Sequence, residues 1–231
     1  MRSLLPPPGR RAGDAPPRRM LAAAMLCAVL LLPACSVLPK AAPLDVYVLP
    51  AAGGAPASVG GGAATPSVAP AARLLPWSLR VVRPAAGAPL AGQRIVVMPE
   101  GDRVSVYQGA GWSDPAPVLV RDRLLEAFRV DGRVGALSSD ERALHADFEL
   151  DGDLRAFHSE YRDGRPEAVV RLDLRLVHTA SRHIVASRTF EQRQASAEPA
   201  VPAVVRALGA TADRLAAEVV EWTVHAAATR R

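Results

Sequence analysis

Residues 148–156 read Phe-Glu-Leu-Asp-Gly-Asp-Leu-Arg-Ala, and residues 168–176 read Ala-Val-Val-Arg-Leu-Asp-Leu-Arg-Leu. In the first stretch Phe148, Leu150, Leu154 and Ala156 alternate with Glu149, Asp151, Asp153 and Arg155. In the second, Ala168, Val170, Leu172, Leu174 and Leu176 alternate with Arg171, Asp173 and Arg175, interrupted only by Val169 and Val177. Successive side chains of a strand point to opposite faces, so this period of two predicts an antiparallel sheet with one packed face and one wet face. Asp163-Gly164 supplies the turn between these strands, Thr179–Arg182 forms the next turn, and Ile184 to Gln194 returns as a third strand.

On either side of this meander the period changes to that of a helix. Downstream, Val204 (or Val205), Leu208, Ala212, Leu215, Val219 and Trp222 recur every three or four residues, one apolar stripe long enough to lie across the sheet. Upstream, Val120, Leu124 and Phe128 share one helical face behind Asp114-Pro115, which reads as an N-cap followed by the first helical residue, and Asp131-Gly132 closes that helix. Further upstream, strands are predicted at Asp45 to Leu49, Ser78–Val82, Arg94–Met98 and Arg103–Tyr107, the last two joined by a hairpin turn at Glu100-Gly101-Asp102. The predicted fold class is α+β: a mainly antiparallel sheet with two helices packed on one face.

The chain has 231 residues, 49% of them hydrophobic, which supports one domain with a genuine core and excludes collagen-like, coiled-coil and wholly disordered readings. Its formal net charge of +5 is misleading. Residues 1–34 hold five arginines (Arg2, Arg10, Arg11, Arg18, Arg19) and one acid, Asp14, so without them the net charge falls to +1. A nearly neutral body gives no case for a nucleic-acid partner.

The arginines precede an uncharged apolar run from Met20 to Leu32. Its thirteen residues are too few to span a bilayer, which needs about 20, and have the length of a secretory h-region. The run ends in Leu32-Pro33-Ala34-Cys35. An aliphatic residue three before a cysteine, with a small residue just before it, is the bacterial lipobox. Residues 1–34 are therefore read as a signal peptide, with diacylglycerol on the Cys35 thiol and an N-acyl chain on the new terminus. The other cysteine, Cys27, leaves with the signal peptide. No thiol then remains for a disulfide, a nucleophile or a zinc-thiolate site. Ser36, in place of an Asp, favours outer-membrane sorting. Residues 35–43 read as a lipidated tether, 44–225 as the folded domain and 226–231 as a C-terminal tail. Residues 50–72 are almost all Ala, Gly, Pro and Ser and are expected to form a flexible insert without core.

The order of these pieces behind a lipobox resembles the PqiC-like ABC-type transport auxiliary lipoproteins. The likeness rests on Tyr47-Val48-Leu49, Ile95-Val96-Val97, Val104-Ser105-Val106-Tyr107, Gly111-Trp112-Ser113-Asp114-Pro115 before the helix with Leu124 and Leu125, Phe148-Glu149-Leu150, Val169–Leu176, Ser187-Arg188-Thr189-Phe190 and the final Trp-bearing helix. Gly111 stands where the family pattern often has a basic residue. The resemblance implies a non-enzymatic lipoprotein of the outer membrane that faces the periplasm. It also implies MCE-domain proteins and ABC transporter subunits as partners, lipid movement between the membranes as the task, and self-association into rings. A second reading, from another class, is an envelope-assembly or cell-wall regulatory lipoprotein that docks a synthase or porin; a periplasmic hydrolase is the third.

Cys35 is the expected lipid-attachment residue, and that covalent lipid is the only group expected in the place of a cofactor. Tyr107 and Trp112 are candidate partner anchors if exposed, or staples between helix and sheet if buried. Arg155, Arg171 and Arg175, on the polar side of the strands, are candidate contacts for a lipid phosphate or an acidic partner. His178 and His183 flank one hairpin turn, but two ligands make no zinc site, and no metal is expected. No catalytic residue is assigned: Gly111-Trp112-Ser113 lacks the second glycine of a nucleophile elbow.

Overall fold

The computed structural model describes residues 43–51, 74–142 and 144–229. The stretch read as a signal peptide, the expected lipid-attachment residue Cys35, nearly all of the expected tether and most of the Ala/Gly/Pro-rich insert lie outside them. The described chain runs β1 (Asp45–Tyr47), β2 (Ser78–Val81), β3 (Ala85–Ala86), β4 (Arg94–Glu100), β5 (Arg103–Trp112), α1 (Ala116–Asp131), β6 (Ala136–Ser139), a 3₁₀ turn at Asp140–Arg142, β7 (Phe148–Arg162), β8 (Arg165–His178), β9 (His183–Ala195) and α2 (Val201–Ala228). No helix among the described residues is long and apolar enough to cross a membrane.

The fold is α+β, as the periodicity predicts, around one open nine-stranded sheet. Its long ladders are antiparallel: β7 pairs with β8 from Phe148↔His178 to Arg162↔Arg165, and β8 with β9 from Glu167↔Ala195 to His178↔His183. The other edge of β7 is divided among three short strands, all parallel to it: β2 along Phe148–Leu150, β3 at Asp153 and Leu154, and β4 along His158–Glu160. Two wings extend from there. β6 adds parallel to β2, β5 antiparallel to β4, and β1 parallel to β5. The sheet is therefore mixed, since the wings join β7 through crossover connections, one of which contains α1.

β7 changes phase halfway. Leu154 pairs with Leu172 but Ala156 with Arg171, which leaves Arg155 as the extra residue of a β-bulge. Before the bulge Phe148, Leu150, Gly152 and Leu154 face the core; after it Phe157 and Ser159 do, both at most 1% exposed. Ala156, which simple alternation places beside Leu154, instead lies on the opposite, outer face with His158 and Glu160. The outlying Val169 is explained in the same way. It sits between His158 and Arg193 on the outer face, covered by their long side chains and 1% exposed.

Both helices cover the inner face of the sheet. α1 buries Val120, Leu124, Leu125 and Phe128, and α2 buries Val204, Leu208, Ala212, Leu215 and Val219 against Leu172, Leu174, Leu176 and Phe190. Trp222 is half-buried and meets the Phe190 ring edge-on at 5.4 Å. The start of α1 departs from the sequence reading. Pro115 is the cap residue, its carbonyl accepting the Val118 and Leu119 N–H groups, and Asp114 is exposed with no capping bond, so the helix begins one residue later. Its end follows the reading: Gly132 takes φ +73°, open to glycine at little cost, and donates its N–H to the Phe128 carbonyl. α2 continues to Ala228 because Thr223, Ala226 and Ala227 prolong its buried stripe, so the tail expected from residue 226 begins after the helix instead.

Past β1 the chain leaves the sheet and is held against both helices. Arg123 of α1 donates to the carbonyls of Leu49 (2.8 Å) and Pro50 (2.9 Å) and pairs with Asp213 of α2. Gly209 of α2 leaves room for Pro50, whose carbonyl oxygen would collide with any Cβ there. Three charge-assisted bonds depend on this one guanidinium, so Arg123→Ala is expected to lower stability by about 2 kcal/mol. The check is a denaturant titration, with Arg129→Ala, whose ion pair with Glu126 is exposed on the surface of α1, expected to change stability by less than about 0.5 kcal/mol.

Candidate functional site

The outer face of β7–β9, opposite the helices, carries the three arginines singled out from sequence, and each lies beside an acid. Arg175 reaches Asp151 at 2.9 Å and Asp153 at 3.6 Å, Arg155 reaches Asp173 at 3.1 Å, and Arg171 stands 3.8 Å from Glu191. Arg193, on β9, lies at the centre of a denser group with Glu191 (2.7 Å), Glu160 (2.8 Å) and Glu167 (3.3 Å). His158 meets the same Glu160 at 3.1 Å. The face is a mosaic of both signs, not a basic patch. Arg155, Arg171 and Arg175 share it, as the alternation implies. Glu160 and His158 escape sequence reasoning because the bulge at Arg155 reverses the phase of β7 after that point.

The electrostatics follow from the pairing. Burial alone would raise the Glu160 pKa, but hydrogen bonds from Arg193 and His158 outweigh it and hold the carboxyl below its ordinary range. The same contact, Glu160 first, holds the Arg193 guanidinium well above its ordinary value. At the other end of the sheet Asp147 is also held low, chiefly by the Ser78 hydroxyl (2.7 Å) and N–H (2.8 Å), which join the start of β7 to the start of β2. Because both carboxyls have lower pKa values folded than unfolded, their stabilisation is complete above the unfolded value of about 4. It is lost as the pH falls through the folded values. The melting midpoint is therefore expected to drop on acidification below about pH 4. Arg193→Ala is expected to cost about 1 kcal/mol at pH 7 and to flatten the acid limb, as thermal melts from pH 7 to pH 2.5 would show.

Tyr107 and Trp112 occupy the wing. Trp112 ends β5 with 2% of its surface exposed and its ring 5.5 Å from Phe157. Burial makes it a staple of the core and removes it as a partner anchor. Tyr107 is half-buried, and its hydroxyl shares a 2.9 Å hydrogen bond with Ser159, which ties β5 to β7 across β4. Burial raises its pKa. Gly111 has a packing reason: a Cβ there would lie 3.1 Å from the Gln93 carbonyl and 3.6 Å from the Leu44 side chain.

His178 and His183 are register partners flanking their hairpin, beside a cleft of about 350 Å³ that also contains Trp77 and Phe148. Among the described residues no group of three His, Cys, Asp or Glu side chains is placed to hold a metal ion. Ser113 follows β5, its N–H bonded to the Tyr47 carbonyl, and the adjacent Asp114 is exposed.

Residues 62–220 match the sequence model of the family described as the ABC-type transport auxiliary lipoprotein component. The chain belongs to that family. An uncharacterised protein of Bradyrhizobium diazoefficiens is 34% identical to this auxiliary lipoprotein over 160 residues, which are 68% of the chain and 42% of that relative. The chain thus spans less than half the length of the curated relative it matches. The crystal structure of protein XCC0632 from Xanthomonas campestris superposes with a TM-score of 0.65 at 26% identity, over 80% of this chain and 98% of that one. A second crystal structure, of an uncharacterised protein, shares the fold with a TM-score of 0.57 at 18% identity, over 78% of this chain and 98% of that one.

Proposed function

We propose that this protein is a non-enzymatic lipoprotein, anchored in the outer membrane through Cys35 and facing the periplasm. In this reading it is a component of an MCE-linked, ABC-transporter-driven system that moves lipid between the two membranes. The observation that carries the reading is the juxtaposition in one chain of the lipobox Leu32-Pro33-Ala34-Cys35 with a domain of the auxiliary lipoprotein family over residues 62–220. Acyl chains contribute about 0.8 kcal/mol for each buried CH₂, so several on one terminus hold a neutral body at a membrane without a spanning helix. Ser36 supports sorting to the outer membrane. A role without catalysis is supported by the family itself, which is described as an auxiliary component of transport. ABC transporter subunits and an MCE-domain protein are the proposed partners, and a ring of copies the proposed assembly.

The test is in-cell crosslinking of the intact lipoprotein, purification and identification of the captured chains. MCE-domain and ABC subunits are the expected catch. Recovery of a cell-wall synthase or a porin in their place would replace this reading with that of an envelope-assembly lipoprotein. Adjoining genes for an MCE protein and an ABC ATPase are expected as well.

A further inference from the structure

Two clefts meet on the outer face of the sheet, and they differ in chemistry. One, of about 300 Å³, lies beneath the connection between β3 and β4 and is walled by Pro89, Leu90, Val96, Met98 and Val104. The other, of about 400 Å³, lies over β7–β9 among Arg171, Arg193, Glu160 and Glu191. Arg155 and His158 line both and form their common wall.

The register explains the junction. Val96 of β4 lies beside His158 of β7 and opposite Val106 of β5, so the apolar outer surface of the wing abuts the charged outer surface of the meander along β7. The bulge sets the seam, because it brings Arg155 and Ala156 to the same face. Ala156 and Val169, 7% and 1% exposed, give the charged cleft an apolar floor. On the apolar side Leu90 and Val96 are buried, while Val104 is 51% exposed at the entrance.

The charges select the occupant. Of the three arginines that line the charged cleft, Arg193 is held by three acids, whereas Arg155 and Arg171 each have one carboxylate, at 3.1 Å and 3.8 Å, and side chains 59% and 48% exposed. A ligand carrying only negative charge would meet Glu160 and Glu191 in the same cleft, and a wholly apolar one would leave the charged half unused. A headgroup with a phosphate and an ammonium matches both signs, and an acyl chain attached to it matches the neighbouring cleft. We infer that this two-part cleft binds one zwitterionic phospholipid, phosphate on Arg155 and Arg171, ammonium toward Glu160 and Glu191, acyl chain along Val96, Met98 and Val104. The inference rests on the proposed role in lipid transport and names the surface that role would use.

The experiment uses the full lipid-anchored protein in its own membranes. A benzophenone amino acid replaces Val104, or, as control, Ile184, which is 56% exposed on β9 beyond the charged cleft. After irradiation the purified protein is weighed and its adducts identified by mass spectrometry. Expected are phospholipid adducts at least five-fold more abundant at position 104 than at 184 and enriched in the phosphate–ammonium headgroup over the bulk membrane. A further fall of five-fold or more is expected when Arg155→Glu and Arg171→Glu are added, with the melting midpoint recorded to show that the fold persists. Equal adducts at the two positions, adducts that mirror the bulk lipid composition, or indifference to the charge reversal would overturn the inference. Each preparation is also probed for MCE subunits. Their capture without a lipid adduct removes this site and leaves the proposed function standing; their absence from the unsubstituted protein removes the proposed function itself.

Discussion

Cys35→Ser, exported behind a signal peptide that is cleaved without lipidation, is expected to shift the protein from the membrane fraction to the soluble periplasmic fraction almost completely. The thiol is the proposed attachment point of the diacylglycerol, and its modification precedes cleavage and acylation of the new amine, so one substitution removes every acyl chain. At about 0.8 kcal/mol for each buried CH₂, losing even one chain weakens membrane partitioning by many orders of magnitude. No helix among the described residues is long and apolar enough to replace the anchor. Fractionation followed by immunoblotting measures the effect, and mass spectrometry of the wild-type N-terminal peptide supplies the chemistry. Unchanged sedimentation with membranes, or a bare thiol at position 35 in the exported protein, would refute lipid anchoring.

Gly152→Val is expected to be the most damaging single change in the folded body. Gly152 pairs with Leu174 on the core side of β7. A Cβ built there would collide with the Asp173 carbonyl oxygen and lie 2.8 Å from Leu174 Cδ2 and 3.0 Å from its Cα. Much of that obstruction is backbone, so relief requires β8 to move away from β7. β7 is the strand on which β2, β3, β4 and β8 all pair, so a local displacement propagates to both wings. Overpacking of this kind costs about 3 kcal/mol or more, a fall of roughly 10 °C in the melting midpoint for a domain of this size. Gly92→Ala, at a site with nothing within 4 Å of the added carbon, is expected to change it by less than about 1 °C. Circular-dichroism melts of the two variants make the comparison.

The parts legible in the sequence are those where one period runs uninterrupted for many residues. Leu172, Leu174 and Leu176 announce the buried face of β8, and the stripe from Val204 to Val219 announces α2, because burial on one side imposes the pattern directly. The short parallel strands are another matter. Ser78–Val81 is announced as a strand and Ala85–Ala86 is too brief to be, but the parallel direction of both comes from distant crossover connections rather than from local residues. The bulge at Arg155 has no composition of its own, so Ala156 is assigned to the wrong face, and the contribution of His158 and Glu160 to the charged cleft stays hidden. Asp114 has the chemistry of a cap but not the position, since Pro115 holds it. For the site, the alternation of arginines and acids places Arg155, Arg171 and Arg175 on one surface. Their pairing with particular carboxylates depends on cross-strand register, which no single strand encodes.

The grip of Arg123 on Leu49 and Pro50 also bears on mechanics. If the amino-terminal lipid holds the protein to a bilayer while a partner pulls on the body, the load enters through β1, an edge strand of only three residues. Such a strand peels early under tension. The guanidinium lies further along the chain, so it would act as the second catch, passing the pull to both helices once the first hold has given way and sparing the central ladders.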